Sequence, residues 1–161
     1  MCGFVGTTNK HLCELMLKKQ EHRGPDALSF WSDDRLSLGH ALLDISGSKQ
    51  TQPIRTKYGS YVLFNGEMYD SRDQNDTVWL GKMLDKYGTA VLEWSDWHGS
   101  IAYYKPQENK LLLIRDQFGT KPLWWGFDGE TFQFSTSCKS FLHKELQTKE
   151  RKFGSMGDEC I

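Results

Sequence analysis

A chain of 161 residues is long enough for one domain with a buried core, and 38% hydrophobic with 13% aromatic residues supply the apolar mass for it. Lys and Arg number 20 against 21 Asp and Glu, a formal charge of -1, so no excess of positive charge drives binding to nucleic acid or an anionic membrane. No run approaches the ~18 apolar residues of a membrane span, the start lacks the basic and apolar segments of a signal peptide, and the expectation is a soluble cytoplasmic protein.

Met1-Cys2-Gly3-Phe4-Val5-Gly6 reads as the start of a buried strand carrying a cysteine at position 2. If Met1 is trimmed, one residue holds both a thiol and an α-amine, whose ordinary pKa of ~8 lies close to the ~8.5 of a thiol. The amine can then take the proton of an attacking sulfur. From Asn9 to Gln20, the spacing of Leu12, Cys13, Leu15, Met16 and Leu17 predicts a helix with one buried stripe, Cys13 among its core residues. His22-Arg23-Gly24-Pro25-Asp26 is a rigid polar turn, since Pro25 restricts Gly24. Two strand-like stretches follow, from Leu28 and from Leu36, joined by a turn at Asp33-Asp34.

Ser46 to Thr56 is polar and contains Pro53, which predicts a surface loop near the active site rather than a central strand. Tyr61-Val62-Leu63-Phe64 is a compact strand, and Asn65-Gly66 after it predicts a tight turn. Asn75 or Asp76 caps a helix running to Gly88, and a shorter helix takes Ala90 to Trp94. Ser100 to Tyr104, Lys110 to Arg115, Leu123 to Phe127 and Thr131 to Ser135 are short apolar runs between turn-forming clusters, as antiparallel strands require. Ser137 to Leu142 adds a turn of helix. Residues 143–161 read as a polar, solvated extension of a domain spanning 1–142. Cys2, Cys13, Cys138 and Cys160 are scattered and form no CxxC pair or zinc site with the five histidines, so no metal or cofactor is expected and the thiols suit a reducing compartment. The aromatic residues Trp94, Trp97, Trp124 and Trp125 serve either as core packing or as a partner face.

Taken together, the motifs resemble glutamine amidotransferase domains of the class with an N-terminal cysteine nucleophile, most closely the glutaminase domain of asparagine synthetase. The resemblance rests on Met1-Cys2-Gly3, Arg23-Gly24-Pro25-Asp26, Gly39-His40, Gln52-Pro53, Phe64-Asn65-Gly66-Glu67-Met68-Tyr69, Asn75-Asp76-Thr77 and the run from Arg115 to Leu123, in family order over residues 1–142. It implies an α+β fold, a four-layer αββα sandwich of two antiparallel sheets of the Ntn-hydrolase type. It also implies that Cys2 attacks the side-chain amide of glutamine to give ammonia and a thioester that water hydrolyses. The side-chain amide of Asn65 and the backbone N–H of Gly66 match the two oxyanion donors, Glu67 and Asp76 match substrate-holding positions, and Arg23 matches an arginine near the nucleophile.

Two departures accompany the matches. Where such domains carry an arginine that pairs with the substrate α-carboxylate, this chain reads Gly39-His40-Ala41-Leu42-Leu43, leaving Lys49, Arg55 or Arg72 to replace it. Val78 stands where a second acid is usual. Nothing resembles the adenylating domain of asparagine synthetase, so an ammonia generator needs a separate synthetase chain as partner. Three readings follow: a glutaminase subunit acting on glutamine, an N-terminal-cysteine amidase acting on another amide, or a catalytically inactive binding or regulatory module.

Overall fold

A computed structural model describes residues 2–45, 49–72, 74–141 and 152–155. Strand β1 (Gly3–Thr7) is buried along its whole length. It leads into helix α1 (Lys10–Lys18), capped by the Asn9 side chain, which accepts from the Leu12 N–H at 3.0 Å. Strands β2 (Ala27–Ser32) and β3 (Ser37–Leu42) form a hairpin. Its turn is tied by Asp33, whose Oδ1 accepts the Arg35 and Leu36 N–H groups, both at 2.8 Å. The short β4 (Ile54–Arg55) precedes β5 (Tyr61–Met68), and α2 (Asp76–Tyr87) and α3 (Val91–Trp94) follow. The second half supplies β6 (Trp97–Lys105), β7 (Lys110–Arg115), β8 (Trp124–Phe127), β9 (Phe132–Ser135) and β10 (Lys152–Ser155).

The strands make two antiparallel sheets, one of six in the order β10-β8-β9-β1-β3-β2 and one of four in the order β4-β5-β6-β7. Side-chain parity explains the layers, because alternate residues of a strand face opposite sides of its sheet. Phe4, Leu38 and Phe134 from the larger sheet meet Leu63, Ala102 and Tyr104 from the smaller one in a core between the sheets. The intervening Val5 and Ala41 turn outward to Leu12, Cys13, Met16 and Leu17 of α1. On the far side, Val62, Phe64 and Ile101 turn outward to Trp79, Leu80 and Leu84 of α2. The fold is therefore the expected α+β sandwich of two antiparallel sheets flanked by helices. Cys13 is part of the α1 core, and burial, with Glu14 adding to it, pushes its thiol up to about 12.

Three local expectations change. Asn65-Gly66 does not turn: both residues lie inside β5, paired with Ser100 and Gly99. The reason is tertiary, since a Cβ on Gly66 would lie 2.1 Å from the His98 carbonyl oxygen and 2.7 Å from the Gly99 Cα, and Gly99 has φ +143. Glycine is thus used for close strand approach rather than reversal. In the stretch read as a surface loop, Ile54–Arg55 pairs as an edge strand and Gln52 is buried. Gln52 takes the place of a strand partner for Phe64, accepting its N–H at 2.6 Å and donating to its carbonyl at 3.1 Å. Within the stretch read as a polar extension, Lys152–Ser155 pairs with β8 at the edge of the larger sheet; Leu142, residues 143–151 and Cys160 lie outside the described residues.

Candidate active site

The start of β1 and the end of β3 lie side by side, with Gly3 opposite Ala41, which brings Cys2 beside Leu42. Cys2 shares the parity of Phe4 and therefore faces the smaller sheet. Its sulfur is held by one residue: the thiol donates to the Leu43 carbonyl at 3.6 Å, and the Leu43 N–H donates to Sγ at 3.4 Å. Arg23 anchors the backbone of the same cysteine, its Nε donating to the Cys2 carbonyl at 3.3 Å. Half-burial lowers the Arg23 pKa from its ordinary value, and Cys2 acts in the opposite sense.

Facing Cys2, the smaller sheet contributes Asn65, which shares the inward parity of Leu63. The two line a common cleft of about 560 Å³. Asn65 is buried, and its Nδ2 has no hydrogen-bond partner among the described residues. A buried amide donor without an acceptor costs free energy unless something supplies one. Gly66 adds a second donor. The N–H and C=O of Gly99 go to Asp116, at 2.8 and 3.0 Å, on the β7 side, so Gly66 and Gly99 form a pair that exchanges no ladder hydrogen bonds. The Gly66 N–H consequently points the other way, on the side where Gln52 bonds Phe64, and Gly66 lines the cleft.

The remaining expected residues fall around this pair. Glu67 is exposed at the cleft rim. Asp76 lines the cleft with its carboxylate already engaged, Oδ1 by the Ser71 hydroxyl at 2.6 Å and Oδ2 by the Met68 N–H at 3.1 Å. Asn75, not Asp76, caps α2, accepting from Thr77 and Val78 N–H at 3.1 and 3.3 Å. Of the three cations considered as replacements for the missing arginine, Arg72 lines the cleft, at φ 52, whereas Arg55 lines a separate hollow and Lys49 lines neither.

Sequence reasoning missed Lys121, His98 and Asp44, all of which line the cleft. Lys121 had a signal, since it lies in the run from Arg115 to Leu123. That run is a built loop: Arg115 donates to the Lys121 and Gly119 carbonyls at 2.8 and 2.5 Å. Asp116 accepts from Phe118 and Thr120. Burial pushes the Asp116 carboxyl upward, but hydrogen bonds from Thr120, Gly99 and Phe118 outweigh it and leave the group below the ordinary carboxylate value. Asp44 had no signal. The separate hollow, about 720 Å³ between Ile54, Tyr58 and α2, is larger than the cleft but contains neither Cys2 nor Asn65, so volume does not identify the site.

A thiol that shares a cleft with the unpartnered Asn65 Nδ2 and with Gly66 is an arrangement suited to attack on an acyl carbon. A family profile described as a glutamine amidotransferase domain matches residues 1–156. This chain belongs to that family. The glutamine amidotransferase domain is 26% identical over 181 residues to asparagine synthetase [glutamine-hydrolyzing] 3 of Bacillus subtilis, covering 96% of this chain and 30% of that protein. It is 30% identical over 142 residues to amidase chry2 of Gibberella zeae, covering 75% of this chain and 21% of the amidase. The chain thus spans less than a third of either relative. Among solved structures, glutamine phosphoribosylpyrophosphate amidotransferase from B. subtilis matches with a TM-score of 0.70 at 13% identity, over 87% of this chain and 43% of the other. That likeness is one of fold. Among the described residues no helix is long and apolar enough to cross a membrane.

Proposed function

We propose that this domain hydrolyses the side-chain amide of glutamine through Cys2 and supplies the ammonia to an acceptor enzyme on a separate chain. The observation that carries the reading is the buried, unpartnered Nδ2 of Asn65 in the cleft that Cys2 lines. With Met1 removed, the Cys2 α-amine takes the thiol proton as Sγ attacks the amide carbon. The carbonyl oxygen then becomes an oxyanion, met by Asn65 Nδ2 and the Gly66 N–H, each such donor contributing ~3 to 4 kcal/mol to the transition state. Collapse breaks the C–N bond, the protonated amine gives its proton to the leaving nitrogen, and ammonia departs. Water attacks the resulting thioester, the amine takes the water proton, and the C–S bond breaks to release glutamate, the amine returning its proton to Sγ so that thiol and neutral amine are restored. Arg23 holds the Cys2 backbone during both steps, while Glu67 and Asp76 line the volume into which the rest of the substrate extends.

A second reading, an amidase for a different amide, is favoured by one feature: Leu42 gives the wall beside Cys2 an apolar surface where a carboxylate-binding cation would serve free glutamine.

The test is performed on protein whose N-terminal residue is verified as Cys2 by intact mass. Ammonia and glutamate are measured with glutamine as substrate, and an electrophilic glutamine analogue is used to label the nucleophile, with Cys2→Ala alongside. The expected result is ammonia release and a label mapped to Cys2, both abolished by Cys2→Ala with folding retained. Hydrolysis of other amides but not glutamine selects the second reading. Absence of ammonia release and of labelling, with the terminus processed and an acceptor enzyme present, identifies a binding or regulatory module.

A further inference from the structure

Gln20, just after α1, is fully buried, and its side-chain amide is fixed at one end. Nε2 donates to the Ser135 and Ser140 hydroxyls, both at 2.7 Å. Ser140 gives its own hydrogen to the Met16 carbonyl at 3.5 Å, so it is the amide nitrogen and not the oxygen that faces the two serines. A planar amide with its nitrogen so placed aims its oxygen the opposite way. That oxygen, Oε1, has no hydrogen-bond partner among the described residues, and a buried acceptor without a donor is unfavourable.

Oε1 lies against the start of β1. A Cβ on Gly3 would collide with it, so glycine at this position is what lets the amide approach the backbone beside Cys2. The same turn carries Arg23, whose N–H donates to the Gln20 carbonyl at 2.8 Å and whose Nε donates to the Cys2 carbonyl. Strand alternation turns the Cys2 nitrogen the same way. Phe4 exchanges hydrogen bonds with Thr136 on the β9 side, so Gly3 addresses β3 and Cys2 addresses the β9 side, where Ser135 holds Gln20. Within a chain the Cys2 nitrogen carries one N–H, but released as an ammonium it carries three. The other groups at hand do not serve it: a guanidinium has no acceptor, and the Leu43 carbonyl already takes the thiol hydrogen.

Building on the proposed amide hydrolysis, we propose that Gln20 is a positioning residue for that reaction, its Oε1 accepting a hydrogen of the freed Cys2 α-amine. The acceptor acts at two moments. Before attack it orients the neutral amine so that its lone pair is left for the thiol proton, and after the transfer it meets the positive charge the amine has gained. The ionisable groups around the terminus are the Cys2 thiol and Arg23, with Asp26 and Asp44 beyond β3, where Asp26 accepts the Asp44 N–H at 2.7 Å. Glu21 and His22 on the turn after α1, and Cys138 and Lys139 on the turn that carries Ser140, are exposed.

The test uses the full chain carrying Cys2→Ala, so that no turnover intervenes, with removal of Met1 verified by intact mass. The terminal amine is titrated through the carbon resonances of residue 2 by NMR, and the side-chain carbonyl carbon of Gln20 is followed in the same spectra. The Gln20 carbonyl is expected to shift with the midpoint of the amine. Gln20→Met should lower that midpoint by about one pH unit, and Gln20→Glu, which sets a carboxylate against the ammonium, should raise it by about one unit or more. In the protein that retains Cys2, Gln20→Met should lower kcat for glutamine about tenfold with KM within about twofold. The proposal is overturned if the Gln20 carbonyl does not follow the amine, or if both substitutions leave the midpoint where it was. The carbonyl readout needs no substitution at Gln20 and decides the matter even where a variant fails to fold. Turnover of glutamine without the coupled titration rejects the positioning role alone, and the coupled titration without turnover rejects the nucleophile reading alone.

Discussion

His40 lies on the inner face of β3, opposite Phe4, fully buried, and neither ring nitrogen has a hydrogen-bond partner among the described residues. Burial disfavours the imidazolium and lowers its pKa from 6.5 to about 4. The sign follows from proton uptake. Between those two values the unfolded chain binds a proton that the native protein refuses, so the stability contributed by neutral His40 is complete above the unfolded pKa and is lost as pH falls through the window toward the folded one. Integrating that difference from pH 7.5 to 4.5 gives a loss of about 2.5 kcal/mol. Urea unfolding followed by tryptophan fluorescence at pH 7.5, 6.5, 5.5 and 4.5 measures it, with His40→Gln as the non-titrating reference. The variant can start lower, because the quantity read is the slope, which in the wild type should be steeper by about 1 kcal/mol per pH unit between the two pKa values. Asp116, held below the ordinary carboxylate value, contributes to acid lability only below about pH 4 and so lies outside this window. Parallel stability curves for the two proteins would mean that His40 titrates alike in the folded and unfolded states, against the burial described for it.

Two further perturbations address the site and the strand pair that builds it. Asn65→Ala removes the unpartnered donor without touching the nucleophile, and is expected to lower kcat for amide hydrolysis by about a hundred- to a thousandfold with little change in KM; an unchanged kcat measured by ammonia release assigns Asn65 no role at the oxyanion. Gly66→Ala places a methyl 2.1 Å from the His98 carbonyl oxygen, a backbone atom that cannot move aside alone. It should cost at least about 2 kcal/mol in urea unfolding and loosen amide-exchange protection along β5 and β6. Wild-type stability would show that the two strands do not approach as closely as described.

Short apolar runs between turn-forming clusters mark most of the strands, though not β4, the second half of β5 or β10, and the stripe of Leu12, Cys13, Met16 and Leu17 marks α1. Cys2, Asn65 and Gly66, which line one cleft, stand out in the sequence only as part of an ordered set of motifs; alone, Asn65-Gly66 carries the local signature of a turn. What it became was decided by Gly99, which lies far along the chain, permits the two backbones to approach, and converts the dipeptide into mid-strand. The same dependence on distant residues hid Asp44. Its sequence neighbours mark it as an ordinary polar residue after a strand, and nothing local records that the register of β1 against β3 carries it to the cleft or that its Oδ1 ends there without a donor. Local sequence fixes periodicity, caps and backbone preference because those depend on neighbours a few bonds away. Which polar atoms are left unsatisfied, and what they face, depends on contacts between segments that only folding brings together.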